Sequence, residues 1–305
     1  MSKYKDISSY RLAIKIRSHK TLLVEGISDK SVISHFLLSR NYQDNHHSDY
    51  FVDDASIVKQ DNTLSGLGNK NKALAIINAI NNPKLSGMID REWDNINLND
   101  LNDGQFIQNI SNVYLTKGHS IENYWFDADA SISFLIKSFP TTVNQDYLRT
   151  VSNCFPKILR FAAAYSLTAK DASIITRSSD LISHSDILWD NENLLLQDSF
   201  NIKLSERGVA NCSFSANCNV RYAQLMESNQ TLLKWICHGH LGEEAIRSCL
   251  AAVAMANGVD HATVMDIERG KKNEKFSHDS DYVCSQELNC VDPLDKILEW
   301  VRVAL

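Results

Sequence analysis

The residues best suited to chemistry in this chain are carboxylates that follow apolar runs. In LLVEGISDK, Glu25 comes directly after Leu22–Val24, and Asp29 stands four residues later across a glycine-containing turn. In GMIDREWD, Asp90, Glu92 and Asp94 occupy alternate positions behind a second apolar run, and GHSIENYW adds Glu122. Hard divalent cations such as Mg²⁺ take carboxylate oxygens and keep several waters, and phosphoryl chemistry uses such ions to hold attacking and leaving oxygens. Alternate residues of an extended segment point to one side, so Asp90 and Glu92, with Asp94 as a third candidate, could share an ion. The other reading is conformational. An acid near a helix N-terminus is favoured by the helix dipole, which would account for Glu25 and Asp29 singly. Glu122 is open to the same reading, as a helix-start acid bonded to backbone amides.

The elements that must position these acids alternate between two periods. Thr21 to Val24 reads as a buried strand, and Ser28 offers an N-cap to a helix whose Val32, Ile33, Phe36 and Leu37 share a face. Tyr50 to Val52 reads as a second strand. The turn SGLGNK, Ser65 to Lys70, then leads into a helix carrying Leu74, Ile76, Ile77 and Ile80, which Asn81 to Pro83 stops. Leu85 to Asp90 and Val113 to Leu115 are the third and fourth strands. Strands separated by helices predict an α/β fold, a parallel sheet flanked by helices, and ligands bind such sheets at the carboxyl ends of the strands. Glu25, Asp90 and the segment holding Glu122 should therefore meet on one edge.

From about Asp127 the strand signals fade. Helical spacing dominates Tyr147 to Leu167, Val220 to Cys237, Glu243 to Ala256 and Pro293 to Leu305, so the expected organisation is an α/β domain over 1–130 and a mostly α-helical half over 131–305. The polar stretch Glu268 to Ser285 reads as a loop, and no internal repeat is visible. The chain of 305 residues is 44% hydrophobic and 22% charged, the composition of a soluble globular protein, and holds no run of about eighteen apolar residues that would span a membrane. Its seven cysteines include no CxxC pair and suit a reducing compartment, so a cytoplasmic location is expected. A formal net charge of -6 excludes a surface that grips nucleic acid everywhere and confines any such contact to a local patch.

Val24-Glu25-Gly26 and the acidic pair Asp90-x-Glu92 resemble the TOPRIM domain, the Mg²⁺-binding α/β module of primases, topoisomerases and OLD-type nucleases. That motif is a glutamate and glycine after the first strand and an Asp-x-Asp after the third. The likeness covers residues 18 to 130. With LLVEGISDKSVISHF, GMIDREWD and HSIENYWF together, the chain looks more specifically like the OLD-like TOPRIM nuclease family paired with ABC-type ATPases in anti-phage defence, as in PARIS-type systems. The resemblance implies that Glu25 is the general acid or base, or a metal ligand beside the scissile phosphate, and that Asp29, Asp90 and Glu92 are ligands for Mg²⁺ or Mn²⁺. Glu122 matches an acid of the family's IEN segment as an outer ligand. Glu92 departs from the pattern, which more often has aspartate, and Asp94 could take its role. The resemblance further implies a toxic effector that cuts transfer RNA to halt translation, held inactive by a partner ABC-type ATPase until infection releases it. The helical half would supply dimerisation, partner-docking and substrate contacts, with a homodimer expected once the chain is released. A DNA-nicking nuclease is the alternative within the class. A TOPRIM subunit that binds without cutting is the alternative outside it.

Other residues suggest phosphate contacts. Lys70 and Lys72 flank the SGLGNK turn, which lacks the spacing of a P-loop and reads first as a turn. In KWICHGHLGEEA, Lys234, His238 and His240 surround a glycine before a new helix, where a cation and helix amides could meet a phosphate; exposed histidines at a capped helix start are the equal alternative. Cys212, Cys218, Cys237 and His238 could be drawn as a zinc site, against the usual close pairing of such ligands. Arg269, Lys271, Lys272 and Lys275 make a basic stretch that reads as solvated loop before it reads as an RNA or partner contact. Trp235 and Trp300 fall within apolar stripes and are assigned to core or subunit contacts.

Overall fold

A computed structural model describes residues 3–59, 64–94, 96, 112–190, 192–209, 213–270, 272–288 and 291–303, with the backbone alone for 272–278. The chain divides into two compact units that interleave along the sequence. The first comprises Met1–Arg91, Phe106–Ile121 and Ser280–Leu305; the second comprises Glu92–Gln105 and Glu122–Asp279. The chain passes between the two units several times.

In the first unit the order is α1 (Ile7–Ile16), β1 (Lys20–Val24), α2 (Ile27–Gln43), β2 (Tyr50–Asp54), α3 (Asn69–Ile80), β3 (Leu85–Ile89) and β4 (Val113–Leu115). The four strands form one parallel sheet in the order β2-β1-β3-β4. All five residues of β1 and of β3 are buried, as expected of central parallel strands covered on both faces. The pleat divides them. Leu23, Leu85 and Ile89 join Tyr10 and Ile14 of α1 and Ile76 and Ile77 of α3 in one apolar cluster. Leu22 and Val24 point to the opposite face, and α2 contributes buried Val32, Ile33, Phe36 and Leu37. Gly87 is where α3 comes closest to the sheet: a Cβ there would lie 2.2 Å from Ile77 Cδ1, so a side chain would displace a packed isoleucine.

Two local details bear on the sequence reading. The N-cap of α2 is Gly26 rather than Ser28, because Asp29 at the third helical position accepts the Gly26 amide proton at 2.9 Å and closes the turn earlier. Asn81 does stop α3, in the left-handed conformation at φ 41°.

The second unit is mainly helical. It contains α4 (Ala128–Ser138), α5 (Gln145–Asp171), α6 (Ile175–Ser178), β5 (Ile187–Trp189), β6 (Leu194–Leu196), α7 (Ser199–Glu206), α8 (Phe214–Gln224), α9 (Gln230–Ile236), α10 (Gly239–Ala256) and α11 (His261–Arg269). α5 and α10 pack together at its centre, where Ala162, Ala163, Ala164, Ala251 and Ala254 are buried and the Tyr147 hydroxyl donates to Leu250 O at 3.0 Å. The helix expected over Val220 to Cys237 is broken between α8 and α9 by a 3₁₀ turn at Leu225–Glu227. Strand structure also persists beyond Asp127, in the antiparallel β5–β6 hairpin. Ahead of β5, fully buried Asp186 accepts hydrogen bonds from Ser183 N at 3.0 Å, Ser199 Oγ at 2.9 Å and Lys203 Nζ at 2.5 Å.

α12 (Lys272–Ser285) carries the chain from the second unit back to the first, so the stretch read as a loop is helical over most of its length. α13 (Leu294–Arg302) then buries Leu294, Ile297, Leu298 and Val301, and Lys20 Nζ donates to Trp300 O in its last turn and to Val303 O just past its end. Among the described residues no helix is long and apolar enough to cross a membrane.

Candidate functional site

The strand order fixes where a ligand would sit in the first unit. From β1 the chain passes through α2 to β2 on one side, and from β2 through α3 to β3 on the other, so the connections diverge between β1 and β3. Such a switch point opens a crevice at the carboxyl ends of the two strands. Glu25 is the first residue after β1 and Asp90 the first after β3. Glu25 Oε1 accepts the Asp90 amide proton at 2.8 Å, which brings the two ends together.

Asp29 stands a turn further along α2 and spends one oxygen on the Gly26 amide, as a helix-start acid does. Lys70, in the first turn of α3, reaches the same edge: its Nζ donates to Arg91 O at 3.2 Å. Lys72 is buried, with its Nζ on Val58 O at 2.8 Å, and braces α3 against the segment after β2. Arg91 is fully buried, and its amide donates to Thr116 Oγ1 at 2.9 Å.

The sequence reading passed over Asp54. It ends β2 and pairs in register with Val24, so its carboxylate belongs to the same edge. Burial works to raise its pKa, but the Ser56 hydroxyl, the Ser56 amide at 3.0 Å and Lys30 Nζ at 3.6 Å outweigh that and hold it below the ordinary carboxylate value. The signal available was the pair Asp53-Asp54 at a strand end. Asp53 proves structural, accepting from the Tyr10 hydroxyl at 2.9 Å and from Arg17 at 2.6 Å.

Glu92, Asp94 and Glu122 fall in the second unit. The alternation argument fails after Asp90, because β3 ends at Ile89 and the chain turns through Glu92–Asp94, with Glu92 left-handed at φ 57°. A non-glycine residue held there costs on the order of 1 kcal/mol or more. Glu92 and Asp94 are exposed on that turn. Glu122 is in a 3₁₀ turn, Ile121–Trp125, and its Oε1 lies 3.6 Å from His240 Nδ1. Among the described residues no three His, Cys, Asp or Glu side chains are gathered in a metal-holding arrangement.

The 3₁₀ turn is clamped to the α9–α10 junction. Asn123 Nδ2 donates to Lys234 O at 2.7 Å and Cys237 O at 3.0 Å, and a Cβ on Gly242 would lie 2.8 Å from the Phe126 ring, so only glycine allows this contact. His238 is the N-cap of α10, its Nδ1 accepting from Leu241 N at 3.4 Å. Burial, reinforced by His240, pushes its pKa down to about 4 against the opposing pull of Glu122, so the ring is neutral at physiological pH. Lys234 Nζ lies 3.9 Å from Asp127. Trp93 packs beside the junction. Its Nε1 donates to Ile236 O at 3.0 Å, its ring centroid is 5.7 Å from that of His238, and Lys170 Nζ lies 5.5 Å from its ring.

The candidate zinc residues are placed differently. Cys218 and Cys237 are fully buried free thiols; burial pushes Cys218 up to about 12 and Cys237 upward as well, whereas a zinc ligand must be a thiolate. Cys212 lies outside the described residues, as do Lys271 and the side chains of Lys272 and Lys275; Arg269 ends α11.

Comparison with models of known protein families finds no match, and comparison with curated proteins finds none.

Proposed function

We propose that this chain is a metal-dependent nuclease of the OLD-like TOPRIM type, hydrolysing phosphodiesters at the crevice between β1 and β3. The observation that carries the reading is the meeting of Glu25 and Asp90 at the switch point, joined by the 2.8 Å bond from the Asp90 amide to Glu25 Oε1. The donor chemistry suits a hard divalent ion: Glu25, Asp29 and Asp90 offer only carboxylate oxygens, and would hold Mg²⁺ or Mn²⁺ in the first unit. Such an ion, when bound, neutralises phosphoryl charge and acidifies water. The protein's own contributions are these. The Asp90 amide fixes the Glu25 carboxylate, which takes the proton from the attacking water. Lys70, anchored at Arg91 O, places a cation at the same edge for the phosphate.

Transfer RNA as the substrate, a toxic role in phage defence, restraint by an ABC-type ATPase and a homodimeric released form rest on the sequence resemblance alone, and DNA nicking is the second reading. The test incubates the purified chain and its Glu25→Ala variant with total transfer RNA and, separately, supercoiled plasmid, in Mg²⁺, Mn²⁺ or EDTA. Discrete metal-dependent RNA fragments absent from the variant are expected. Plasmid nicking alone would transfer the reading to DNA. Absence of cleavage by a chain that has been freed of its co-purifying ATPase would overturn it.

A further inference from the structure

Asp54 ends β2, and the register sets it beside Val24, the residue before Glu25. Register partners on neighbouring strands face the same side of a sheet, so Asp54 projects with Val24 toward α2. Its two oxygens are engaged differently. Oδ1 accepts from the Ser56 amide at 3.0 Å and from the Ser56 hydroxyl, capping the short 3₁₀ turn Ala55–Ile57. Oδ2 faces Lys30 Nζ of α2 at 3.6 Å. The cap accounts for the first oxygen and leaves the second to be explained. The Asp54 side chain is 11% exposed and that of Lys30 38%, so the pair turns its anion inward and its cation to solvent. We propose that Asp54 is a positioning residue that holds the Lys30 ammonium at the carboxyl edge of the sheet, where it binds a backbone phosphate of the nucleic acid beside the cleavage crevice.

A metal-ligand role is the rival reading for a carboxylate at this edge. Both oxygens already face donors, however, and an ion would have to displace Lys30 from Oδ2. Stability does not account for the pair either. An ion pair with so exposed a lysine adds little, and Lys30 is the fourth residue of α2, near the end where the helix dipole opposes a cation. The spacing leaves the ammonium usable: 3.6 Å is longer than a hydrogen bond, so Asp54 orients Lys30 by charge without occupying its three donors. A lysine that grips a phosphate loses rotamer freedom, and one already held near its working position loses less. A backbone phosphate needs only a point charge, which a lysine supplies, and the contact positions the strand without reading its sequence. With Lys70 reaching the same edge from α3, each of the two helices contributes one cation. The inference rests on the nuclease reading for the class of its ligand.

The test reads binding apart from cutting. The full chain carrying Glu25→Gln, in EDTA, is titrated with a labelled single-stranded oligoribonucleotide at several salt concentrations, reading fluorescence anisotropy. Adding Lys30→Gln is expected to lower the slope of log affinity against log salt by about 0.7, one phosphate contact on a single strand, and so to weaken binding about fivefold at about 0.1 M salt. Lys30→Arg, which keeps the charge, should restore the slope. Asp54→Asn, which keeps an oxygen for the Ser56 amide, should weaken binding by no more than Lys30→Gln does and add nothing to it in the double variant, because Asp54 acts through the lysine. Removing an acid that only repelled the phosphate would tighten binding, so a tighter or unchanged complex in Asp54→Asn overturns the positioning role. An unchanged slope in Lys30→Gln, or no binding by the parent, overturns the phosphate contact. In the otherwise wild-type chain, Asp54→Asn should leave the Mn²⁺ concentration for half-maximal cleavage unchanged; a raised demand would make Asp54 a ligand and overturn the proposal. Wild-type cleavage is scored separately: cleavage with an unchanged slope removes the Lys30 contact alone, and a lowered slope without cleavage removes the nuclease reading alone.

Discussion

The two compact units collect opposite chemistries. In the first, a parallel sheet delivers Glu25, Asp54 and Asp90 to the ends of three strands, and the geometry follows from strand order. In the second, an aromatic and basic group is assembled from residues near 93, 170 and 238, and no single element lines it up. A sheet edge can gather acids with few contacts because the backbone already aims them. A helical body must hold its site by individual bonds, as Asn123 does with two carbonyls. The lesson is that the first unit's chemistry should fail when a charge changes, and the second unit's when a fold contact changes.

The sharpest break is at Glu25. Glu25→Gln keeps an oxygen to accept the Asp90 amide but removes the basic carboxylate. Cleavage should fall about 10²- to 10⁴-fold, the usual loss for a general base, with the melting temperature unmoved. A large fall in melting temperature instead would make Glu25 a structural cross-link between β1 and β3.

The counterpart in the second unit is Asp186. It is fully buried, and three donors besides Lys203 depend on it: the Ser183 amide, the Ser183 hydroxyl and the Ser199 hydroxyl. Asp186→Ala takes the acceptor from the Ser183 amide and the Ser199 hydroxyl, the Ser183 hydroxyl keeping Ser185 and Lys203, and should destabilise the second unit by about 3 kcal/mol, the lower end for a broken buried pair because Lys203 is a third exposed. Trp93, Trp125, Trp189 and Trp235 belong to that unit and Trp300 to the first, so urea unfolding followed by tryptophan fluorescence in a Trp300→Phe background reads the second unit. Loss below about 1 kcal/mol, the scale of a surface pair, would mean that the buried network is not what holds the hairpin entry.

How far the sequence reveals each unit follows the same division. The four strands of the sheet are legible because buried parallel strands are short apolar runs, and Glu25 and Asp90 are legible as the acids that end them. Asp54 is not, since its place beside β1 depends on which strands pair. The turn at Glu92 is invisible to a pleat argument that assumes the strand continues. In the second unit, strands of three residues in β5 and β6 carry no readable period, and the polar surface of α12 imitates a loop. The Trp93 group is a product of tertiary packing and leaves no local pattern.

A pH titration separates the units further. His238 has a folded pKa of about 4, below the value near 6.5 of an unfolded histidine. As pH falls from about 6.5 toward 4, the unfolded chain takes up a proton that the folded one refuses, so the second unit loses stability through that window. His238→Asn, which can still cap α10, should flatten the loss in the fluorescence-detected unfolding curve. An unchanged slope would place the acid sensitivity elsewhere.

Glu122 offers the smallest effect and the finest test, because its two readings differ in what they predict rather than in how much. Its visible partner is His240, 73% exposed, and an ion pair with so solvated a group contributes between about 0 and 1 kcal/mol. Glu122→Gln should therefore leave stability nearly unchanged, and His240→Ala should match it. If Glu122 also serves as an outer ligand, only Glu122→Gln raises the Mg²⁺ or Mn²⁺ concentration needed for half-maximal cleavage, while His240→Ala leaves it alone. Equal metal demand in both variants would confine Glu122 to its histidine.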